Sequence, residues 1–183
     1  KKIRYLFGGD LLRQGIATSM GVEALQIPMF GLYGACSTSG EALALASMSA
    51  AAGYGGTMIA VTSSHFGSAE KEFRFPLGYA NQRPLSSHWT VTGSGAFLVQ
   101  SAEEYRKQNT KSYFSNIRIT GVTVGKIVDY GLKDSQNMGA CMAPAAMDTI
   151  VQNFQDMERK EKDYDRIITG DLGSVGQKLL FEL

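Results

Sequence analysis

Short apolar runs alternate along the chain with glycine-rich turns and with stretches at helical spacing. Ile3 to Phe7 is rich in strand formers and closes on Gly8-Gly9, which predicts a buried strand. Asp10 suits a helix cap. Leu11, Leu12, Ile16, Met20 and Leu25 follow at near-helical spacing, with Gly15 and Gly21 weakening the helix. Pro28 to Tyr33 predicts a short strand. Gly34 to Gly40 then leads into an alanine-rich helix to about Ala52, ended by Gly53. Small apolar residues on every side of that helix predict that it is buried all round. Thr57 to Thr62 predicts another buried strand, followed by a polar and aromatic loop to Ser87. Trp89 to Val91 and Ala96 to Val99 predict strands flanking a tight turn at Thr92 to Gly95. Ser101 to Thr110 reads as a charged connector. Ile117 to Val128 predicts a strand with a bulge at Gly121 or Gly125. Pro144 suits the first turn of a helix running to about Arg159, with Ala146, Met147, Ile150, Val151, Phe154 and Met157 as its apolar face. Glu158 to Asp163 is a charged link, Asp165 to Thr169 predicts a strand, and a last helix starts near Ser174.

Buried strands joined by helical crossovers predict an α/β fold, with a mostly parallel sheet carrying helices on both faces. Composition narrows the function classes. With 44% apolar and 19% charged residues among 183, the chain is not an intrinsically disordered one. Its formal net charge of +1 provides no broad basic field for a nucleic-acid backbone. No apolar run reaches the roughly 18 residues of a membrane span, and no signal-peptide pattern opens the sequence. The 2 cysteines, Cys36 and Cys141, do not make a disulfide framework and fit a reducing compartment. Lys1-Lys2 directly precedes an apolar run and the sequence stops within Leu179-Leu180-Phe181, so truncated ends are expected. Gly-Ala-Cys occurs at Gly34-Ala35-Cys36 and again at Gly139-Ala140-Cys141, which suggests two related halves.

The candidate chemistry centres on Cys36, placed where a strand turns into a helix. There the first amides of the helix point outward and the helix dipole is positive, which favours thiolate and can hold an oxyanion or a carboxylate. The other reading is a small buried cysteine that packs. A nucleophilic cysteine needs a base, and the 2 histidines are His65, just after a buried strand, and His88 beside Trp89. The loop between them carries Lys71, Arg74 and Arg83 among Phe73, Phe75 and Tyr79. That is either a site for a small planar anion or an ordinary exposed loop. Asp171, past the end of a predicted strand, lines a cleft or caps the last helix. No cluster has metal-ligand spacing, and no cofactor is expected.

These segments together resemble the thiolase and ketosynthase superfamily. Gly34-Ala35-Cys36-Ser37-Thr38-Ser39-Gly40 with the following alanine-rich helix matches its nucleophile segment, and Thr92-Gly93-Ser94-Gly95-Ala96 its glycine-rich strand. The closer similarity is to one branch, the stage V sporulation protein AD of endospore-forming bacteria. It is carried by the cysteine segment, Thr62-Ser63-Ser64-His65, Phe73-Arg74-Phe75-Pro76, Thr90 to Ala96, Met142-Ala143-Pro144-Ala145-Ala146 and Ile168-Thr169-Gly170-Asp171-Leu172.

The resemblance implies a layered α-β-α-β-α arrangement of two similar βα halves, over residues 1–100 and 112–183. It implies binding of dipicolinic acid, as the acid or its calcium chelate, and its uptake into the developing spore. It also implies a homodimer at the periphery of the inner spore membrane, partnered by other subunits of the SpoVA assembly. In many ketosynthases a strand like Asp165 to Thr169 leads to a catalytic histidine. Gly170 stands there instead, and glycine holds no proton, so Cys36 is expected as a vestigial nucleophile with His65 as its possible base. The expected ligand contacts are Cys36, Ser37, Thr38, His65, Phe73, Arg74, Arg83 and Asp171. Two alternatives remain: a scaffold subunit that binds no ligand, and an active acyltransferase working through Cys36.

Overall fold

The computed structural model describes residues 3–12, 15–65, 67, 84–88, 91–108 and 117–183. The chain divides into two compact units, one over Lys1–Glu70 and Val91–Ile119, the other over Lys71–Thr90 and Thr120–Leu183. Strands and helices together make the α/β class expected from the sequence.

The first unit is built on four strands: β1 (Tyr5–Asp10), β2 (Met29–Gly31), β3 (Thr57–Ser64) and β4 (Gly93–Gln100). Their order in the sheet is β2-β1-β3-β4. β1 runs parallel to both β2 and β3, while β4 lies antiparallel on β3. Helix α1 (Ile16–Val22) and helix α2 (Thr38–Ala51) connect the parallel strands. β1 runs on through Gly8-Gly9, and these glycines serve the two faces of the sheet. A Cβ on Gly8 would lie 3.3 Å from the Thr18 methyl of α1. One on Gly9 would overlap the Leu32 carbonyl and lie 3.0 Å from the Thr38 methyl of α2. Since successive residues of a strand point to opposite faces, α1 and α2 start on opposite sides of β1.

The core of this unit is Phe7, Leu32, Met58 and Ala60 of the sheet side against Ala42, Ala46 and Ala50 of α2. The three alanines repeat every four residues and form a single buried stripe. The expectation of an all-round buried helix is therefore corrected among the described residues: Met48 on another face is 51% exposed. Small side chains let α2 approach the sheet closely; here they do not signal a second covering layer. α2 ends in a Schellman motif with Gly53 at φ 80, as the glycine predicts, the Tyr54 N–H donating to the Ser49 carbonyl at 3.1 Å.

Two further expectations are corrected here. The predicted turn at Thr92 to Gly95 is largely strand, because Gly93, Ser94 and Gly95 pair with Ser64, Ser63 and Thr62. An existing strand edge supplies hydrogen-bond partners that override the low strand preference of glycine. The charged connector contains helix α3 (Ala102–Gln108), with a Glu103–Lys107 ion pair one turn apart.

In the second unit, helix α4 (Met138–Asp156) starts before the predicted Pro144. Asn137 is its cap, its side chain accepting the Ala140 N–H at 3.2 Å, and Pro144 lies inside the helix. The second Gly-Ala-Cys therefore sits within a helix, whereas the first forms a 3-10 turn, so the repeat marks no shared local structure. α4 packs on helix α5 (Gly173–Glu182) through glycine: a Cβ on Gly176 would lie 2.7 Å from the Gly139 Cα.

Neither the part of the predicted strand Ile117 to Val128 nor Asp165 to Thr169 forms a ladder among the described residues. A strand needs a neighbour to pair its amides and carbonyls. Instead, the chain beyond Thr120 lies along α4. Gly121 faces Met157, Gly125 faces Thr149, and Lys126 pairs with Asp148 at 2.9 Å. The two glycines allow close approach to a helix; they do not mark a bulge. Thr123 accepts from Asn153 Nδ2 at 3.0 Å, and the Tyr164 hydroxyl donates to Asn153 Oδ1 at 2.7 Å.

Candidate functional site at the carboxyl edge of the sheet

Because β1, β2 and β3 are parallel, their carboxyl ends share one edge, and the antiparallel β4 begins at the same edge with Gly93. In open α/β sheets such an edge is where ligands collect. β1 delivers Asp10 there, β2 leads to the turn that carries Cys36, and β3 leads to His65.

Residues paired across strands share a face. Gly9, Thr62 and Gly95 form one row, on the side of α2. Asp10, Ser63 and Ser94 form the next row, on the side of α1. Among the described residues, a Cβ on Gly95 would meet nothing nearer than Phe97 at 3.7 Å, whereas the Leu32 carbonyl covers Gly9 in the same row. Thr62, half-buried between two glycines, was not singled out in the sequence. The alternation of Thr57 to Ser64 with a glycine-rich partner strand was the available signal.

The turn Ala35–Ser37 precedes α2 as a 3-10 turn. Ala35 adopts φ 48, a left-handed conformation that a side chain disfavours. The Ser37 N–H donates to the Gly34 carbonyl at 3.0 Å and the Thr38 N–H to the Ala35 carbonyl. These amides are thus engaged within the turn. Thr38 Oγ1 accepts the Gly34 N–H at 3.1 Å, which holds the turn against the helix. A Cβ on Gly34 would lie 2.8 Å from Glu41 Oε2, so a carboxylate already stands beside the start of α2. Cys36 is exposed, which corrects the reading of a buried packing cysteine; Cys141 is exposed as well.

His65 is half-buried, and its Nε2 lies 3.5 Å from Ser63 Oγ, in the row of Asp10. β2 and β3 are separated by β1, two strand spacings or about 10 Å. The turn bearing Cys36 thus rests on the α2 side, whereas the His65 ring contacts a residue of the α1 side. Phe73, Arg74 and Arg83 lie outside the described residues. Among the described residues, no three His, Cys, Asp or Glu side chains gather as a metal site.

Asp171 belongs to the second unit. It caps the start of α5, Oδ1 accepting the Gly173 N–H at 2.9 Å, and it lines a half-open cavity of about 940 Å³. Met147, Ile150 and Phe154 of α4 form its apolar wall, and Gly170 is on its rim. Three residues of the predicted apolar face of α4 therefore line the cavity, while Val151 on that face is exposed. His88 is buried close to Gly173.

Comparison with known proteins now adds to this geometry. The sequence model of the stage V sporulation protein AD family matches residues 1–183. The chain is 41% identical to stage V sporulation protein AD of Bacillus subtilis (strain 168) over 181 residues, 99% of this chain and 50% of that relative. It therefore spans about half the length of the curated relative it matches. A match over the whole chain at this identity is decisive: the chain belongs to the stage V sporulation protein AD family.

Proposed function

We propose that this chain binds dipicolinate and supports its uptake into the developing spore, through a thiolase-like pocket that no longer turns over acyl groups. The observation that carries the reading is the placement of the His65 ring beside Ser63, in the row of Asp10. A cysteine nucleophile needs its base within hydrogen-bond reach, and here the His65 ring is engaged with Ser63 in the other row. The open floor at Gly95 among the described residues suits a receptacle. The family membership supports the sporulation role, and the resemblance to thiolases supports the layered two-half arrangement.

Dipicolinate is a flat dianion. Its ring fits against Thr62 and Gly95, on the side of the sheet that carries the Cys36 turn. By residue type alone, we assign its carboxylates to Arg74 and Arg83 and its ring face to Phe73, all outside the described residues. Each charge-assisted hydrogen bond contributes roughly 1.5–3 kcal/mol, so two such ends with ring burial give about 8 kcal/mol, a micromolar affinity. The chain further acts as a homodimer through the outer edge of β4, which ends the sheet among the described residues and carries no charge. It works at the inner spore membrane with other SpoVA subunits. No described helix is long and apolar enough to cross a membrane.

Calorimetric titration with dipicolinate tests the reading. Binding near micromolar, weakened at least roughly tenfold in both Cys36→Ala and Arg74→Ala, is expected. Unchanged affinity in both variants would exclude this pocket.

A further inference from the structure

Among the described residues, Asp10 is the one buried carboxylate at the edge where the proposed pocket lies, and the reading above gives it no part. It is the last residue of β1, 2% exposed. Its Oδ1 accepts the Leu12 N–H at 2.8 Å, and its Oδ2 accepts both the Thr18 N–H at 2.7 Å and the Thr18 hydroxyl at 2.6 Å. A buried carboxylate is tolerated only where donors surround it. These three donors come from both ends of the β1–α1 connection, so the carboxylate ties that connection into a closed loop.

The tied loop backs the arm that carries Cys36. Gly15, buried and at φ 66, lies within it; a Cβ there would be 4.0 Å from Asp10 Oδ2 and 4.0 Å from the Leu32 carbonyl oxygen. The same Leu32 carbonyl rests on Gly9, and the Leu32 N–H donates to the Gly8 carbonyl at 2.8 Å. Two residues later Gly34 opens the 3-10 turn of Cys36. The path from the carboxylate to the Cys36 turn therefore passes from the Asp10-bound loop by Gly15 to the Leu32 carbonyl, and then along the chain to Gly34.

We infer that Asp10 is a positioning residue: its carboxylate, through Thr18 and the Gly15 loop, fixes the Leu32–Gly34 arm and with it the Cys36 turn. The inference rests on the proposed pocket only for its functional consequence; the geometry stands without it. Asparagine at position 10 presents one acceptor and a donor to three donors, so the loop must re-form and the arm loses its backing.

The test uses the full chain in a Cys141→Ser background, so that Cys36 is the reporting thiol. The rate of Cys36 alkylation by iodoacetamide and the dipicolinate affinity are read for Asp10→Asn, Thr18→Val and Thr18→Ser, with circular dichroism to verify folding. Asp10→Asn and Thr18→Val should each change the alkylation rate at least roughly fivefold and weaken dipicolinate at least roughly tenfold, as loss of a hydrogen bond to a charged group does. Thr18→Ser, which keeps the hydroxyl, should restore both. Folded variants with lowered melting temperature but wild-type alkylation and affinity would overturn the inference and leave Asp10 a purely structural group. If Asp10→Asn fails to fold, Thr18→Val against Thr18→Ser decides alone. If the parent chain binds no dipicolinate, the pocket reading fails, and the alkylation rates still decide the role of Asp10.

Discussion

The Leu32 carbonyl lies directly on Gly9, with no room between them for a side chain. This contact sets the Cys36 arm on the end of β1, and it contrasts with Gly95 in the same row, where a Cβ would meet only Phe97 at 3.7 Å among the described residues. The two glycines therefore have different reasons to be glycine. Gly9→Ala forces a backbone displacement and should destabilise the protein by about 3 kcal/mol, as overpacking does. Gly95→Val should unfold at a denaturant midpoint close to the parent's, yet weaken dipicolinate binding at least roughly tenfold by filling the floor. Parent-like affinity in folded Gly95→Val would remove Gly95 from the pocket.

The crossing of α4 and α5 depends on Gly139 and Gly176, whose backbones touch. Alanine at either position meets backbone, which cannot rotate away. Each substitution should cost about 3 kcal/mol, measured by urea denaturation. A loss under about 0.5 kcal/mol, the range of a neutral surface change, would show that the crossing tolerates a methyl group.

Helix ends give a prediction of opposite sign. α4 closes in a Schellman motif, the Arg159 N–H donating to the Phe154 carbonyl at 2.9 Å, but its left-handed residue is Glu158 at φ 52. α2 closes in the same way on Gly53. Glu158→Gly should therefore stabilise by about 0.5–1 kcal/mol and Gly53→Ala should destabilise by about 1 kcal/mol. Thermal unfolding of the two variants reads both signs.

On α3, the hydrogen bond from Lys107, and then its charge, lowers the Glu103 carboxyl below its ordinary value. The hydrogen bond to Glu103, and then its charge, raises the Lys107 ammonium. The depressed carboxyl contributes stability above its unfolded pKa, lost as pH falls through the folded value. The raised ammonium contributes below its unfolded pKa, lost as pH rises through the folded value. Both groups are on the surface, so the effect is small and salt-sensitive. Lys107→Met should return the Glu103 titration upward in an NMR pH series; an unmoved curve would mean the pair does not persist in solution.

Much of this was legible in residue order, and the failures share a cause. Gly8-Gly9, Gly53 and the alanine run of α2 act locally, through room and backbone conformation, and they were readable. What depends on a distant neighbour was not. Gly93 to Gly95 reads as a turn until β3 stands beside it. Gly121 and Gly125 read as bulge glycines until α4 lies against them. Pro144 reads as a helix start because the Asn137 cap is weaker as a signal. At the site, Cys36 and His65 are prominent by residue type. Which strand residues share their edge follows from register, which a sequence of small residues does not fix.

The most direct measurement compares dipicolinate with pyridine-2-carboxylate, which keeps the ring and one carboxylate, by calorimetric titration of the same protein. A pocket that holds both ends of the dianion predicts micromolar dipicolinate and at least roughly tenfold weaker binding of the monocarboxylate, the difference of one charge-assisted contact. Equal affinities, or no heat with either ligand, would contradict a dipicolinate receptacle.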